Sequence, residues 1–450
     1  MKRSTRIFSS LLTAILLVVS LLGAMPVSTV HAAPLTYTVN QTGDAGDGTC
    51  DATCTLRDAI TAANGNFNIG TETDTIVFSV DATISLAVAL PNINGNLVIN
   101  AAGHTVKIDG NNARRGLYIV TGIVTLNNLT IQNGFSTGFG GGVANTGTLT
   151  LTNSTVVGSH AQFGGGIANL GTLTIANSTF YGNGASYGGG AYNEGGTLTI
   201  LNSTFSGNSA TPGTGGGVYN QSLSILNLGN TILANSTLGG DCANNGGTIG
   251  SNTSNLIMDN SCYPLFNGDP KLVALANNGG YTQTMALSST SPARNQGSAT
   301  ICSTAPVSGF DQRGMPRDTP CDIGAYEAVG SSELDIYPNP LNFGEQAIGT
   351  TSDPKEVTVS YLGEGAIDLG PLAITGEFAF VDYYNNCNYA HLTQGTSCTF
   401  EVTFSPLTVG AKTGTVTIPD HLAVTLGILN LKGTGTDPIV GLSATTIAFP

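Results

Sequence analysis

A short motif returns down the middle of the chain at a spacing of 24 to 27 residues. The run Gly147-Thr148-Leu149-Thr150 recurs from Gly171 and again from Gly196. Glycine triplets follow the same rhythm and begin at Gly140, Gly164, Gly188 and Gly215. A period of this length is typical of solenoids, in which each repeat buries its apolar face against its neighbours. The repeat therefore constrains the architecture more than any other feature of the sequence.

Each repeat also carries an alternating pattern. Leu149 and Leu151 alternate with Thr148 and Thr150, which predicts a strand with one buried and one exposed face. The same register predicts two inward stacks: Val124, Leu149, Leu173, Leu198 and Leu223, and Leu126, Leu151, Ile175, Ile200 and Ile225. Two further strands per coil are predicted from the stacks Ile131, Val156, Phe180, Phe205 and Ile232, and Val143, Ile167, Ala191 and Val218. Three stacked strands per coil predict a right-handed parallel β-helix.

Asparagine recurs at the corners of the predicted coils. The positions are Asn145, Asn169, Asn193 and Asn220, and a second set of Asn153, Asn177 and Asn202. Asparagine tolerates left-handed backbone geometry, and stacked amides can bond to one another along an axis. The second set lies in Asn-Ser-Thr, which is also an N-glycosylation acceptor. Agreement with the coil period favours amide ladders.

The beginning of the chain has the pattern of a secretory signal. Basic residues up to Arg6 precede an apolar stretch from Leu11 to Met25, and small residues follow up to Ala32 and Ala33. This pattern predicts a signal peptide over 1–33, with cleavage near Ala32 or Ala33. No later stretch is long and apolar enough to cross a bilayer, so we expect a secreted or cell-surface protein without a membrane span in the mature chain.

Composition narrows the choice of partner. The net charge is −14 and only 9% of residues are charged, against about 25% in ordinary proteins. An acidic chain of this kind is a poor partner for nucleic acid or anionic lipid, because both are themselves negative. The eight cysteines suit an oxidising compartment and predict disulfides by proximity. The expected pairs are Cys50–Cys54, Cys242–Cys262, Cys302–Cys321 and Cys387–Cys398.

A helical cap is predicted before the coils. Thr55-Leu56-Arg57-Asp58 has the form of a capping box, so a short helix is expected from Thr55 to Asn64. The run Cys54 to Ile60, followed by Ala63-Asn64, closely resembles the CSLREA-type motif of bacterial exported β-helix proteins. Thr replaces Ser and Asp replaces Glu, and both changes are conservative. The resemblance implies a capped β-helix over 34–268.

The next region changes character. Asp269-Pro270-Lys271-Leu272, Ser291-Pro292-Ala293, Asp311-Gln312-Arg313-Gly314 and the run Cys321 to Glu327 follow in that order. Together they resemble the choice-of-anchor Q region that closes bacterial surface β-helices, here over 269–330. Arg294-Asn295 stands where that pattern usually has Ile-Asp. The resemblance implies a surface protein with an exchangeable attachment signal.

Residues 331–436 alternate as antiparallel strands do, for example in Phe400-Glu401-Val402-Thr403-Phe404. The order of Phe343-Gly344, Cys387, Cys398 and Phe404-Ser405-Pro406 resembles choice-of-anchor D modules, which are immunoglobulin-like and related to the ASPM/SPD-2/Hydin group. Residues 437–450 resemble the start of a further, truncated module. The expected fold class is therefore all-β: a capped parallel β-helix followed by an immunoglobulin-like β-sandwich.

Catalytic chemistry finds little support. Pectate-lyase-like and polygalacturonase-like enzymes share the architecture, but they need paired carboxylates, or calcium ligands with a basic residue. Between Gly116 and Gly240 the only charged residue is Glu194. A catalytic group would have to come from Asp74, Asp81 and Asp109 with Arg114 and Arg115, or from Asp241, Asp259 and Asp269, which are far apart in coil number. We predict no catalytic residue, and keep a polysaccharide lyase or glycoside hydrolase as the alternative.

Other motifs have plainer explanations. Gly134 to Gly138 and Gly184 to Gly188 match the serine-hydrolase elbow, but both lie in turns of a chain with 61 glycines. His160 is expected to be a surface residue. Asp44, Asp47 and Asp51 are weak calcium candidates in a Gly-rich loop, and a turn before the cap with Asp as a turn former is the favoured explanation. Arg57 is expected to bond to carbonyls under the cap, and Asp311, Arg313, Arg317 and Asp322 to form a structural network.

The functional expectation is an adhesin-like or structural surface protein without an enzymatic activity or a required cofactor. Its polar face, rich in Thr, Asn, Ser and Gly, would meet a glycan or protein of unknown identity. A minor alternative is ice binding by the outward Thr pairs 148/150, 172/174 and 197/199, which Ile123 interrupts at one end and Ser222 and Ser224 at the other.

Overall fold

The computed structural model describes residues 33–437, apart from 67–71, 289, 329–333, 363–365, 382, 384, 420 and 422–424. The predicted signal peptide, except Ala33, and the predicted start of a further module over 438–450 lie outside the described residues. The described chain is all-β apart from two short helices, α1 (Leu56–Gly65) and α2 (Ala299–Ser303). None of its helices is long and apolar enough to cross a membrane.

Parallel strands build a solenoid of stacked coils, as predicted. The first sheet contains Thr36–Val39, Asp74–Phe78, Leu97–Asn100, Ile123–Asn127, Thr148–Thr152, Thr172–Ala176, Thr197–Leu201, Ile225–Gly229 and Thr248–Thr253. The second contains Ala82–Ser85, Val106–Asp109, Leu129–Gln132, Thr155–Val157, Thr179–Tyr181, Thr204–Ser206, Ile232–Ala234 and Leu256–Ile257. The third contains Leu117–Ile119, Val143–Asn145, Ile167–Asn169, Ala191–Asn193, Val218–Gln221 and Cys242–Asn245.

A fourth, short sheet lies between the second and third strands of three coils. It consists of His160–Phe163, Gly184–Tyr187 and Ser209–Ala210. The expectation of three strands per coil was incomplete, because these segments are only two to four residues long and the side chains of the first are not buried in the core. Their side chains are exposed or half-buried in the first of them, so burial leaves no pattern in the sequence.

The inward stacks are confirmed in four coils, and the fifth differs from the prediction. Leu149 pairs with Leu173, and Leu173 pairs with Leu198, as expected. The next partner of Leu198 is Leu226, however, and that of Ile200 is Leu228. This coil is three residues longer than the one before it, since Leu226 follows Leu198 by 28 residues and Leu198 follows Leu173 by 25. Part of the extra length is a turn in which Ser224 N donates to Gln221 O. The predicted Leu223 and Ile225 are therefore wrong: they are 91% and 41% exposed.

The same lengthening changes two other assignments. Phe205 pairs with Leu233 in the second sheet, so Leu233 takes the place predicted for Ile232. In the outward threonine array, Ile225 and Asn227 follow Thr197 and Thr199, instead of the predicted Ser222 and Ser224.

One asparagine ladder is confirmed. The Nδ2 of each of Asn145, Asn169, Asn193 and Asn220 donates to the next Oδ1 at 2.8 Å, and the chain ends on Asn244. All four donor residues are fully buried. Each side-chain amide in this ladder donates to one neighbour and accepts from the other, so its hydrogen-bonding groups are satisfied. The same polar residue can therefore occupy a buried position in every coil.

The second asparagine set plays a different role. Asn153, Asn177 and Asn202 have positive φ values of 51°, 47° and 43°, so they turn the corner as expected. They do not form one amide ladder, because Asn177 donates to Phe310 O at 2.9 Å and Asn202 to Cys302 Sγ at 3.1 Å. Asn177 is 2% exposed and Asn202 is fully buried, so the folded chain presents neither as a glycosylation acceptor.

Helix α1 covers the N-terminal end of the solenoid core, as predicted. Thr55 caps it by accepting from Asp58 N, and the Asp58 side chain accepts from Thr55 N at 3.1 Å. Leu56, Ala59 and Ile60 are fully buried in the core of the coils. The capping box therefore fixes a short helix whose apolar side closes an otherwise open end.

Residues 269–328 run along the flank of the second sheet and contain little regular structure besides α2. Thr155 Oγ1 donates to Gln283 O at 2.6 Å, and Thr179 Oγ1 donates to Gln312 Oε1 at 2.7 Å. Ala325 N in turn donates to Thr204 Oγ1 at 3.0 Å. The outward threonines of the second sheet are thus buried under this segment, which we call the flank segment.

The C-terminal strands form two sheets around a second core. One antiparallel sheet contains Leu334–Tyr337, Lys355–Tyr361, Ser397–Phe404 and Phe378–Phe380. The other contains Leu341–Ala347, Thr425–Thr436, Gly410–Pro419 and Ala373–Ile374, with Leu341–Ala347 parallel to its neighbour. Ala366–Asp368 and His391–Thr393 pair separately. Val357, Phe400, Val416 and Leu429 are fully buried between them.

All eight cysteines are paired as the sequence predicts, in Cys50–Cys54, Cys242–Cys262, Cys302–Cys321 and Cys387–Cys398.

Candidate functional site

Two columns of aromatic rings follow the solenoid axis side by side. In the first column, the centroids of Phe139 and Phe163 are 5.1 Å apart, and those of Phe163 and Tyr187 are 6.0 Å apart. In the second column, Tyr192 and Tyr219 stack at 5.4 Å with planes 8° apart. The columns touch each other, since the Phe163 and Tyr192 centroids lie 5.1 Å apart.

The glycine triplets place the first column. Each of its aromatics immediately precedes a triplet, and the three positions are 24 residues apart. The first glycine after Phe163 is Gly164, with a φ of 67°, and a Cβ on the next glycine, Gly165, would lie 2.4 Å from Gly184 O. Only glycine permits this turn and this close passage of backbone. The chain therefore turns sharply at the same point of each coil and stacks the aromatic side chains.

The third sheet places the second column. Ile167, Ala191 and Val218 point inward, so the residue after each points outward. These outward positions stack in register and are Ala144, Ala168, Tyr192, Tyr219 and Ala243. Tyrosine thus occupies two successive rungs, with alanine on either side.

A groove of about 670 Å³ opens where the columns end. Tyr187, Tyr219 and Ala243 line it together with Asn244 and Asn245. Asn245 Nδ2 donates to the hydroxyl of Tyr219 at 2.7 Å, and the hydroxyl of Tyr192 donates to Gln221 Oε1. The groove therefore combines aromatic rings with amide and hydroxyl groups.

The hydroxyl of Tyr192, beside this groove, is held in its neutral form. Burial raises the pKa of Tyr192, and the nearby carboxylate of Glu194 raises it further. Glu194 is the single charged residue between Gly116 and Gly240, and it is half-buried beside the column. Neutral hydroxyl and amide groups can both donate and accept hydrogen bonds, which suits an uncharged polyol.

The predicted carboxylate groups are only partly brought together. Asp241 N donates to Asp259 Oδ2 at 2.9 Å, and Asp259 N donates to Asp241 Oδ2 at 3.2 Å. The two residues therefore meet, contrary to the expectation that they lie far apart, because the Cys242–Cys262 disulfide folds the chain back. Asp269 instead accepts from Lys271 N.

Burial raises the pKa of Asp241. Burial also acts on Asp259, but hydrogen bonds from Ser261 and Asp241 outweigh it and lower the pKa of Asp259. No salt bridge joins either carboxylate to a basic side chain within the described part of the chain. Backbone N–H groups occupy both carboxylates, so the pair holds the last coil to the turn that follows it.

The other acidic candidates have separate partners. Asp74 Oδ1 accepts from Leu35 N at 2.8 Å, while Asp81 pairs with His104 at 3.2 Å and Asp109 accepts from Gln132. Arg114 donates to Ala87 O and Arg115 to Gly140 O. These five residues therefore support backbone and neighbouring side chains at different points of the first coils.

The two serine motifs do not form nucleophile elbows. Ser136 Oγ accepts from Arg115 at 3.0 Å and from Gly138 N at 3.2 Å. Ser186 lies within the short strand Gly184–Tyr187, whereas an elbow requires a strand that enters a helix. His160 is exposed, and its Nδ1 lies 3.1 Å from Gly158 O.

The three calcium candidates form an ion pair and backbone hydrogen bonds in the loop before helix α1. Arg57 donates to Asp44 Oδ1 at 2.6 Å and to the carbonyls of Val88 and Ala89, as the prediction for Arg57 required. Asp47 and Asp51 each accept from the backbone two residues ahead. Among the described residues, these carboxylates form no cluster of three potential metal ligands.

The predicted network in the flank segment is a buried ionic cluster. Arg313 pairs with Asp311 at 2.8 Å and with Asp335 at 3.0 Å, and Arg317 pairs with Glu327 at 2.9 Å. Arg317 also reaches Asn177 Oδ1 of the solenoid at 3.1 Å. Asp322 Oδ1 accepts from Asn295 N. The cluster thus joins the solenoid, the flank segment and the first C-terminal strand.

Sequence analysis did not single out the aromatic residues. A signal was present in the first column, because Phe139, Phe163 and Tyr187 precede successive glycine triplets. The second column gives a weaker signal, since Tyr192 and Tyr219 alternate with inward residues in only two coils. Threonine and asparagine are more frequent in the repeats than these aromatic residues. The sequence analysis therefore predicted a surface of hydrogen-bonding groups instead.

No protein-family model matches the sequence, and no curated protein matches it. Among solved structures, the chain is similar to the secreted serine protease VesC from Vibrio cholerae, with 18% identity, 23% of each chain covered and a TM-score of 0.20. The chain spans about a quarter of the length of VesC. It is also similar to the ASH/PapD-like domain 7 of human CEP192, with 17% identity, 24% of this chain and 89% of that chain covered and a TM-score of 0.18. Scores this low carry no argument about function.

Proposed function

We propose that this chain is a secreted or cell-surface, non-enzymatic, adhesin-like β-helix protein that binds an uncharged glycan in the groove beside Tyr187 and Tyr219. The observation that carries the proposal is the exposed ring of Tyr187, which lines a groove together with amide and hydroxyl side chains. Aromatic rings pack against the C–H faces of sugars, while amides bond to sugar hydroxyls.

The scaffold suits this role. Strands stacked in register hold the rings on a rigid surface, so little conformational entropy is lost when a ligand binds. The resemblance of residues 54–64 and 269–330 to exported bacterial surface β-helices supports a location outside the cell. Four disulfides are compatible with that location. The C-terminal strands, which resemble an immunoglobulin-like choice-of-anchor D module, would act as a spacer.

The carboxylates argue against sugar cleavage. Hydrolysis of a glycosidic bond uses two carboxyl groups on either side of the scissile bond. Glu194 is a single carboxylate beside the columns, and backbone amides occupy Asp241 and Asp259. The proposed binding needs no cofactor.

The test uses the chain without its predicted signal peptide on a glycan array and on a panel of neutral and acidic polysaccharides. We expect binding to at least one neutral glycan, measured by calorimetry, without new reducing ends or unsaturated products. Release of such products would overturn the non-enzymatic assignment. An array with no glycan above background would overturn the glycan-binding assignment.

A further inference from the structure

A buried carboxylate interrupts the apolar stack of the first sheet. Asp74 is the register partner of Leu97, and the inward positions that follow it, up to Leu226, are all leucine or valine. The Asp74 side chain is fully buried, and its Oδ1 accepts from Leu35 N and from Asn66 Nδ2, each at 2.8 Å. A carboxylate in a core position is stable only where donors or a cation satisfy both of its oxygens.

Two carboxylate oxygens at this place have no partner. Asp74 Oδ2 and Glu72 Oε2 are both shielded from solvent, and within the described residues no donor bonds to either oxygen. The salt bridges of the same residues include neither carboxylate. Glu72 comes two residues before Asp74, which is the spacing that puts side chains on one face of an extended chain. The buried pair therefore requires a cation close to both side chains.

The beginning of the described chain lies against this pair. Asn66 Nδ2 donates both to Asp74 Oδ1 and, at 3.2 Å, to Ala33 O. The first strand of the chain pairs in parallel with the strand that begins at Asp74, and this register, continued back by three residues from its first pair, sets Ala33 opposite Glu72. Paired strands lie about 4.8 Å apart. The backbone nitrogens of Ala33 and Pro34 therefore lie within about two residue lengths of both carboxylates.

Removal of the predicted signal peptide changes the donors at this point. In the uncut chain Ala33 offers one neutral amide N–H and Pro34 offers none. Hydrolysis of the peptide bond by a signal peptidase consumes one water: the departing peptide gains a carboxylate, and the nitrogen that remains becomes an ammonium group. Cleavage after Ala32 leaves three N–H donors on Ala33, and cleavage after Ala33 leaves two on Pro34. Either group carries a positive charge next to the buried pair, since an α-amino group has an ordinary pKa of about 7.7–8.0.

We infer that Asp74 and Glu72 bind the α-ammonium group that signal-peptide cleavage creates at Ala33 or Pro34. The inference rests on the export that the proposed function includes. The ammonium supplies the donors and the charge that the two buried oxygens lack, so the first strand, Thr36–Val39, is fastened to the edge of the first sheet only after cleavage. An exported precursor thus keeps its first coil loose and completes it when the signal peptide is gone.

The test compares three forms of the chain that are identical from the mature terminus onward. Mass spectrometry of the chain exported from a bacterial host identifies that terminus, which we expect at Ala33 or Pro34. The first form has a free amine there, the second carries an acetyl group on this amine, and the third keeps the four preceding residues. Hydrogen exchange of Thr36–Val39 and Asp74–Phe78 is measured for each form. We expect at least tenfold slower exchange in the free-amine form than in the other two.

Two substitutions test the carboxylates directly. Asp74→Asn keeps Oδ1 as the acceptor for Leu35 and Asn66 and replaces only the unpartnered oxygen, and Glu72→Gln changes the second carboxylate. In the double variant, the free-amine and acetylated forms should exchange within twofold of each other. Asp353→Asn, at an exposed carboxylate of the C-terminal region, is the control for net charge and should retain the tenfold difference.

Equal exchange in the free-amine and acetylated forms of the unaltered chain would overturn the site. A difference that persists in the double variant would do the same, because the amine would then bind elsewhere. If the double variant fails to fold, Glu72→Gln alone decides, and an undiminished difference in it counts against the inference. Calcium chloride that restores protection to the acetylated form would make the pair a metal site instead.

A mature terminus other than Ala33 or Pro34 would also overturn the inference. The groove beside Tyr187 lies several coils away from Asp74, so glycan binding by the free-amine form tests the proposed function independently. Failure of the ammonium site therefore leaves the glycan assignment standing, and failure of glycan binding leaves the ammonium site standing.

Discussion

The buried asparagines show how a single side chain can specify a coil. Asn169 Nδ2 lies 2.8 Å from Asn193 Oδ1, 3.0 Å from Gly171 O and 3.1 Å from Thr197 O. Its Oδ1 accepts from Asn145 and from Gly171 N. Because these partners are backbone and side-chain groups of adjacent coils, one residue ties the corner of its own coil to the next.

Asn169→Ala should destabilise the protein by about 3 kcal/mol, because it leaves several buried donors and acceptors unsatisfied. Asn244→Ala at the exposed end of the same ladder is the matched control and should cost about 1 kcal/mol, since water can replace its bonds. Denaturant unfolding of the two variants gives the comparison. Equal losses would show that burial of the ladder contributes nothing.

The buried carboxyl group of Asp335 makes the stability of the folded chain depend on pH. Burial raises the pKa of Asp335 to about 6, and Asp311 adds to this shift while Arg313 opposes it. The folded state therefore binds this proton more tightly than the unfolded state, whose pKa is about 3.9. The contribution of Asp335 to the free energy of unfolding therefore increases as pH falls from about 6 to about 4, by up to about 1.4 kcal/mol per pH unit. The same contribution is lost as pH rises through 6.

Asp335→Asn should remove this contribution, so the melting temperature of the variant should rise less on acidification from pH 6.5 to 4 than that of the unaltered chain. Asp353→Asn, at an exposed carboxylate, controls for the change in net charge. Identical melting profiles of Asp335→Asn and the unaltered chain would contradict the assignment.

At the scale of elements, the sequence predicts strands well where burial is periodic. The stacks through Leu149, Leu173 and Leu198, the third-sheet positions and helix α1 are all confirmed, because each repeat faces one continuous core. The short fourth sheet and the lengthened fifth coil were missed. In both cases backbone hydrogen bonds or a turn set the structure, and neither leaves an apolar pattern in the sequence.

The candidate groove was missed for a related reason. Tyr192 by itself resembles an ordinary outward strand residue, and its stacking on Tyr219 of the next coil is visible only in the structure. The acidic pair Asp241 and Asp259 likewise depends on how the chain folds back through a disulfide. Contacts between coils of unequal length cannot be assigned before the register is known.

Helix α1 gives a prediction at this scale. Thr55→Ala should destabilise the cap by about 1 kcal/mol, because the helix loses its N-cap hydrogen bond. Thr61→Ala, at an exposed position inside the helix, is the control and should be neutral or slightly stabilising. Hydrogen exchange of residues 56–65 reports the effect directly. Equal protection in both variants would contradict a role for the capping box.

At the scale of the molecule, the flank segment changes how a solenoid is expected to unfold. A bare solenoid has contacts only between neighbouring coils, so its ends can open separately. Here the flank segment reaches Thr155, Thr179 and Thr204, which lie in three successive coils, and Arg313 continues the contacts to Asp335 in the C-terminal strands. These long-range contacts should make unfolding of the central coils a single cooperative event.

Gln312 is the residue through which this cooperativity can be tested, since its Nε2 donates to Thr155 Oγ1 at 3.0 Å and its Oε1 accepts from Thr179. Gln312→Ala should lower stability by about 2–3 kcal/mol and let the flank segment open before the coils, because it leaves the buried hydroxyl of Thr179 without its acceptor and removes the donor to Thr155 Oγ1. Calorimetry should then resolve two transitions, and limited proteolysis should cut within 269–328 first. Gln283→Ala is the control, because Gln283 contacts Thr155 through its backbone carbonyl. A single transition in Gln312→Ala, with cleavage unchanged from the control, would mean that Gln312 does not couple the flank segment to the coils.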